Sequence, residues 1–226
     1  MATQSLLLLW LVGFLSLIAT SLGVTLPLPE LASRDDNLPA RVPYVFPAPG
    51  TNAIADAIRA RRTDGVLLAL DGALLNAPLV ASAWNDIFTV IRNNNTIPGT
   101  MRELFILRIA VLNDASYEWI QHESVGRAEG LTTKQLIAIR RTPAFVESKD
   151  LADTLGPSLA AAMAFADWIT KSVHVPDRIF ANLQKHLNDQ QLVEATATTG
   201  GYNFVSRFVV ALDVDGKMNV PVPIPK

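Results

Sequence analysis

Glu118 and His122 stand four residues apart, so a helix through them sets both side chains on one face. A carboxylate beside an imidazole raises the imidazole pKa and makes a proton-transfer pair usable near neutral pH. The pair alone defines no site, because exposed Glu–His pairs are common on helix surfaces. Glu103 follows Thr100 by three residues, the spacing of a capping box, which is a complete structural explanation for it. Arg108 lies in a very apolar stretch, and a buried guanidinium needs a carboxylate partner. Tyr117 and Trp119 flank Glu118 and read as core or interface aromatics. His174, in a loop, and His186, beside a helix cap, read as solvent-facing. Three histidines with no His-Glu-x-x-His, and a spacing at Glu118–His122 that is not the Glu-x-x-His of bundle carboxylate sites, speak against a metal centre. There is no glycine-rich phosphate loop and no Gly-x-Ser-x-Gly elbow.

The elements that must hold these residues read as helices. Ala53 to Arg61 predicts a short one, and residues 66–78 an apolar one. In 79–92 the apolar residues Val80, Ala83, Trp84, Ile87 and Ile91 recur at helical spacing. The segment opened by Thr100 is apolar on most sides and is expected at the centre. Residues 115–129 follow, closed by Gly130 as a left-handed cap. Thr132 with Gln135 caps 133–141, and Pro143 stops it. Helices are expected over 157–172, from Pro176 to Lys185, and from Asn188, capped with Gln191, to Leu212. Gly200-Gly201 falls inside this last helix, where it permits close packing. No stretch alternates as a strand. The expected fold is an all-α bundle of seven or so helices.

The chain has 226 residues, 50% of them hydrophobic, a formal net charge of −2 and no cysteine. That balance supplies no basic field for nucleic acid. Without cysteine there is no disulfide framework, thiolate metal site or thiol nucleophile. The apolar run Leu6–Ala19 is shorter than the about 20 residues a membrane span needs and suits a signal-peptide core followed by small residues for cleavage; the alternative is a signal anchor or targeting segment that stays on, and cleavage is favoured. The expected organisation is a signal peptide over 1–23, an extended Pro-rich arm over 24–50, a helical domain over 51–212 and an extended tail over 213–226. A secreted or lumenal protein without membrane attachment after cleavage follows, and Asn94-Asn95-Thr96 is then a glycosylation sequon at Asn94.

Arg102-Glu103-Leu104, Ile106 to Ala110, Asn113, Tyr117-Glu118-Trp119, His122 and Gly130-Leu131, taken as one string, resemble the signature of the carboxymuconolactone decarboxylase family, within the alkylhydroperoxidase-D-like superfamily. Gly201 to Arg207 resembles the late helix of longer members, so the likeness runs over roughly residues 50–212. It implies the all-α fold of that superfamily, assembled as a trimer or hexamer, and no cofactor. The peroxidase branch carries Glu, then Cys-x-x-Cys, then His; those cysteines fall at Ala115 and Glu118 here, and a thiol peroxidase without thiols is excluded by chemistry. The remaining acid–base set, Glu103, Glu118 and His122, fits the decarboxylase-like branch. Its substrate would be a small carboxylated lactone or related carbonyl compound, its carboxylate oriented by Arg108 or Arg207. Loss of carbon dioxide leaves a dienolate, which His122, poised by Glu118 or Glu103, protonates at carbon. Tyr117, Trp119, Tyr202 and Asn203 would line the pocket. Isomerisation or dehydration is chemically adjacent. The rival is a secreted, non-catalytic bundle that binds a small ligand or serves as an oligomeric scaffold. Convergence of the three acid–base residues in an apolar pocket favours the enzyme; a solvent-facing His122 with Glu103 as a mere cap favours the scaffold.

Overall fold

The computed structural model describes residues 40–62 and 64–226, so the expected leader and the first part of the arm lie outside the described residues. Ten α-helices occur among them, and no strand. They are α1 Ala53–Ala60, α2 Ala69–Leu74, α3 Pro78–Asn93, α4 Gly99–Leu112, α5 Ser116–Ala128, α6 Thr133–Arg141, α7 Lys149–Leu155, α8 Pro157–Lys171, α9 Asp177–Gln184 and α10 Asp189–Ala211, followed by a 3-10 turn, Val214–Gly216. None is long and apolar enough to cross a membrane.

α4 is the central rod. Ten of its residues, including Leu104 to Ala110 without a break, are buried, because α5, α8 and α10 surround it. An all-round apolar helix must be enclosed in this way. Asn113 ends it, and Asp114 takes a left-handed conformation, φ 52°, one of the few residue types that does so readily. The chain then reverses into α5. Thr132 and Asn188 cap α6 and α10 with their Gln partners as expected. Gly130, at φ +105°, ends α5. At Gly201 an added Cβ would lie 2.9 Å from Ile91 Cδ1, so this glycine does let α10 close on α3; Gly200 faces open space.

Three expectations are corrected. The helix expected over 66–78 shrinks to α2, because the Asp71 carboxylate accepts the Leu68 backbone N–H at 2.7 Å and starts the helix there. Pro78 does not merely stop it: it occupies the first turn of α3, where its missing N–H costs nothing. Glu103 is not a capping residue. α4 begins at Gly99 behind Pro98 with no side-chain cap, which turns Glu103 inward. A helix absent from the sequence reading, α7, begins at Ser148, whose hydroxyl accepts the Leu151 N–H at 3.2 Å.

α3 is apolar on two faces. Ala81, Trp84, Phe88 and Ile91 are buried, while Leu79 (84% exposed), Val80, Ala83, Ile87 and Val90 form an exposed stripe on the other side. Phe204 of α10, also exposed, leans on Trp84 with ring centroids 4.9 Å apart.

Candidate active site

One face of α5, through Glu118, Gln121, His122, Val125 and Glu129, opens on a cavity of about 610 Å³. The first turn of α4 adds Arg102 and Glu103, the end of α3 adds Arg92, and the end of α1 adds Arg61 and Arg62. Helical spacing explains the α5 contribution: positions i, i+3, i+4, i+7 and i+11 share a face. Trp119, turned about 100° from Glu118, points the other way into the core, fully buried.

Glu103 is buried and central. Its Oε2 accepts from His122 Nδ1 at 2.8 Å, and its Oε1 from Arg102 Nε at 3.1 Å. Arg102 also donates to Glu129 Oε1 at 2.7 Å. Burial alone would raise the Glu103 pKa. The hydrogen bond and charge of His122, with Arg102, outweigh it and hold the carboxyl below its ordinary value. Glu103 is therefore ionised at neutral pH.

His122 is pushed the other way. Burial lowers its pKa below the ordinary imidazole value, against the hydrogen bond and charge of Glu103, and Arg92 and Arg102 add to the lowering. The ring is neutral at pH 7, Nδ1–H donating to Glu103. Its Nε2 then accepts from Tyr202 Oη, 3.2 Å away. Tyr202 in turn accepts from Arg92 Nε at 2.7 Å; its phenol is fully buried and pushed up to about 12. The chain Arg92–Tyr202–His122–Glu103–Arg102 holds the imidazole in one tautomer and orientation. An NMR titration of His122 Nε2 and Nδ1 should find a pKa below the model-peptide value of about 6.5. In Glu103→Gln it should fall further, because the carboxylate that favours imidazolium is gone.

Glu118 is different. Both of its carboxyl oxygens are buried and neither has a hydrogen-bond partner. It stands in the first turn of α5, where the helix terminus favours negative charge, but no backbone N–H reaches it. Burial therefore dominates and raises its pKa well above the ordinary glutamate value, against the attraction of Arg92. Burial thus favours the protonated form of Glu118, which lines the cavity. Of the two carboxylates expected to poise His122, Glu118 and Glu103, the structure selects Glu103. Glu118 stands apart, neither of its oxygens hydrogen-bonded.

The structure reassigns most of the expected substrate-binding residues. Tyr117 does line the cavity, its hydroxyl accepting from the Leu70 N–H at 3.3 Å. Tyr202 stands behind His122 as its hydrogen-bond partner. Arg108 does not touch the cavity. It is fully buried, with Nε and Nη2 donating to the two carboxylate oxygens of Asp167 at 2.5 and 3.0 Å, and Nη1 to the carbonyls of Ile139 and Thr142. Trp119 Nε1 donates to Glu123, outside the cavity. Asn203, one position round α10 from Tyr202, bonds Asn113 and Thr170 instead. Arg207 is exposed and folds back on Asn203. The cavity is lined by four arginines, Arg61, Arg62, Arg92 and Arg102, and is not the apolar pocket named as favouring the enzyme. Sequence reasoning missed Arg61, Arg62 and Arg92. A signal for Arg92 exists: it continues the buried Trp84–Phe88 stripe of α3 by one more turn, where a cation is unexpected. Among the described residues no group of three His, Asp or Glu side chains is placed to hold a metal ion.

With that geometry in place, comparison with known proteins is informative. The model of the carboxymuconolactone decarboxylase family matches residues 78–168, a span from α3 to α8 that contains Glu103, Glu118 and His122. The resemblance read from the sequence is borne out over that span, narrower than the 50–212 it suggested. Among solved structures the chain is similar to a protein of unknown function from Agrobacterium tumefaciens, described as a candidate antioxidant defence protein AhpD. The identity is 19% and the TM-score 0.52, over 62% of this chain and 91% of that one. It is also similar to the debrominase Bmp8, seen as a cysteine-to-alanine variant with 2,3,4-tribromopyrrole. There the identity is 17% and the TM-score 0.61, over 76% of this chain and 88% of that one. At these identities the likeness is one of fold, and it is the all-α fold expected. No curated protein matches the chain.

Proposed function

For a chain that carries the carboxymuconolactone decarboxylase family pattern over residues 78–168 on an alkylhydroperoxidase-D-like fold, we propose a cofactor-independent acid–base enzyme. Its substrate is a small carboxylated lactone or related carbonyl compound, and its reaction is decarboxylation with protonation at carbon. The observation that carries this reading is Glu118: a buried carboxyl without partners, at the wall of a cavity it shares with the hydrogen-bonded pair His122–Glu103, where burial favours its protonated form.

The carbon–carboxylate bond breaks, carbon dioxide leaves, and the electron pair passes into the neighbouring carbonyl as a dienolate. Glu118 then gives its proton to carbon. The carboxylate so formed is stabilised by the Arg92 charge, whose attraction for it is already evident, and takes its proton back from solvent at the exposed rim of Asp64, Val125 and Glu129. His122, oriented by Glu103 and Tyr202, keeps a neutral hydrogen-bonding wall opposite. The proton donor is therefore Glu118 rather than the His122 expected from sequence. Purified protein offered carboxylated lactones should release carbon dioxide, and the product should carry deuterium at the new C–H bond when the reaction runs in D₂O. Release at the uncatalysed rate across the panel would remove the proposal.

The assembly belongs to the same reading. The exposed stripe of Leu79, Val80, Ile87 and Val90 is the face through which a second copy of the chain would pack, because a contiguous apolar patch of this kind is rarely left in water. Leu79→Asp with Ile87→Asp should lower the mass seen by light scattering to that of one chain. An unchanged mass would place the interface elsewhere. Passage through the secretory route, with residues 1–23 removed and Asn94 glycosylated, is proposed on the apolar run Leu6–Ala19 and on the exposure of Asn94 at the end of α3. N-terminal sequencing of the secreted protein tests it.

A further inference from the structure

Four arginines line the cavity, and they are not equivalent. Arg62 is neutralised by Asp71, their side chains 2.5 Å apart. Arg102 is neutralised twice, by Glu103 and Glu129. Arg61 and Arg92 form no ion pair among the described residues. Arg61 donates only through Nε, to Asn85 Oδ1 at 2.8 Å. Arg92 donates only through Nε, to Tyr202 Oη at 2.7 Å, with its guanidinium over the Phe88 and Tyr202 rings. Each bond fixes the plane of a guanidinium and leaves both terminal amino groups without a protein acceptor. The two charges are near enough to disfavour one another: burial, then Arg92, lowers the Arg61 pKa.

Asp71 favours both cations and Glu103 favours that of Arg92, but neither carboxylate forms an ion pair with them, and Asp71 is held by Arg62. Burial favours the protonated form of Glu118. Glu103 is spent on His122 and Arg102. Asp64, at the exposed rim, accepts from the Val66 N–H. Two oriented guanidiniums without a carboxylate partner, lining a cavity with an acid at its wall, suit a bound organic anion.

We propose that Arg61 and Arg92 together bind the carboxylate of a small organic acid and so determine the substrate class. The assignment rests on the reading of this cavity as a catalytic pocket, and it deepens that reading by naming the group that docks. It replaces Arg108 and Arg207, which the fold uses elsewhere. Arg61 lies outside residues 78–168, so it is a property of this chain rather than of the matched segment. The docked carboxylate is one the reaction retains. A carboxylate leaving as carbon dioxide surrenders its charge, and paired cations would hold that charge in place and oppose its loss.

Titration calorimetry on the full-length protein tests this without turnover, with furan-2-carboxylate and its methyl ester as probes. The acid should bind, and the ester about tenfold or more weaker, since hydrogen bonds between charged groups are at stake. Arg61→Gln should weaken the acid by a similar factor and leave the ester unchanged; Arg61→Lys, which keeps charge but not the fork, should fall between. Arg92→Gln should do the same as Arg61→Gln and in addition disturb the His122 titration. Equal binding of acid and ester, no acid binding at millimolar concentration, acid binding unchanged in Arg61→Gln, or inorganic phosphate competing as well as the carboxylate would each overturn the assignment. Arg61-dependent binding with no carbon dioxide release from any lactone would leave this inference standing and remove the proposed reaction. Release that is indifferent to Arg61 would do the reverse.

Discussion

Glu118→Gln should lower carbon dioxide release by about a hundredfold or more, the usual scale for removing a proton donor, while the protein stays folded. The amide matches the neutral carboxyl in size and charge, so the packing around position 118 is undisturbed. The same variant makes a stability prediction of definite sign. The folded-state pKa of Glu118 lies above its unfolded value, so the native state binds the extra proton. Its contribution to stability is fully present below the ordinary glutamate pKa and is lost as pH rises through the raised value. The Tm of the parent should thus fall with increasing pH over that window, and Glu118→Gln should flatten the dependence. Undiminished turnover in Glu118→Gln, with deuterium still delivered to carbon, would return the donor role to His122.

Asp167→Ala should be the most damaging single change to the fold. It strips the carboxylate from Arg108 and leaves a fully buried guanidinium with two carbonyl contacts and no counter-ion. Breaking a buried pair this way costs about 3–5 kcal/mol, which for a chain of this length lowers Tm by about 6–20 °C. The loss extends beyond the pair. Asp167 Oδ2 also accepts the Phe145 N–H at 2.9 Å, so α4, α8 and the loop before α7 share one anchor. Asp167→Asn, which keeps an acceptor for that N–H, should lose less. Since Arg108 does not reach the cavity, whatever folded Asp167→Asn remains should show an unchanged KM for its substrate. A raised KM with unchanged Tm would reinstate Arg108 as a substrate ligand. Calorimetric melting and steady-state kinetics separate the two outcomes.

The α4–α5 hairpin was legible because its signals are local. An all-round apolar run, the Asn113-Asp114 break and Gly130 each act within a few residues. Glu118 and His122 then share a face by helical spacing alone. Partner choice was not legible, because it depends on how helices meet. His122 pairs with Glu103 of α4; helical spacing pointed to Glu118, capping-box spacing gave Glu103 another use, and only the family resemblance kept Glu103 among the partners. Arg108 was recognised as needing a carboxylate, yet nothing local distinguished Asp167 on α8 from a substrate. Arg61 was invisible, and Arg92 easily passed over, for the opposite reason. An arginine at a helix C-terminus has a sufficient explanation in the helix dipole, and only the packing of α1, α3 and α10 turns these two toward one cavity. Trp119 and Asn203 failed by a single helical step from residues that do face the site.

Infrared difference spectroscopy tests the central claim, a neutral carboxylic acid at the cavity wall, and needs no substrate. Spectra of the parent and Glu118→Gln at neutral pH, each in H₂O and D₂O, isolate the one group that differs. The account predicts the C=O stretching band of a protonated carboxyl, shifted on deuteration and absent from the variant. A difference spectrum showing only the paired bands of an ionised carboxylate would contradict it, and with it the role of Glu118 as proton donor.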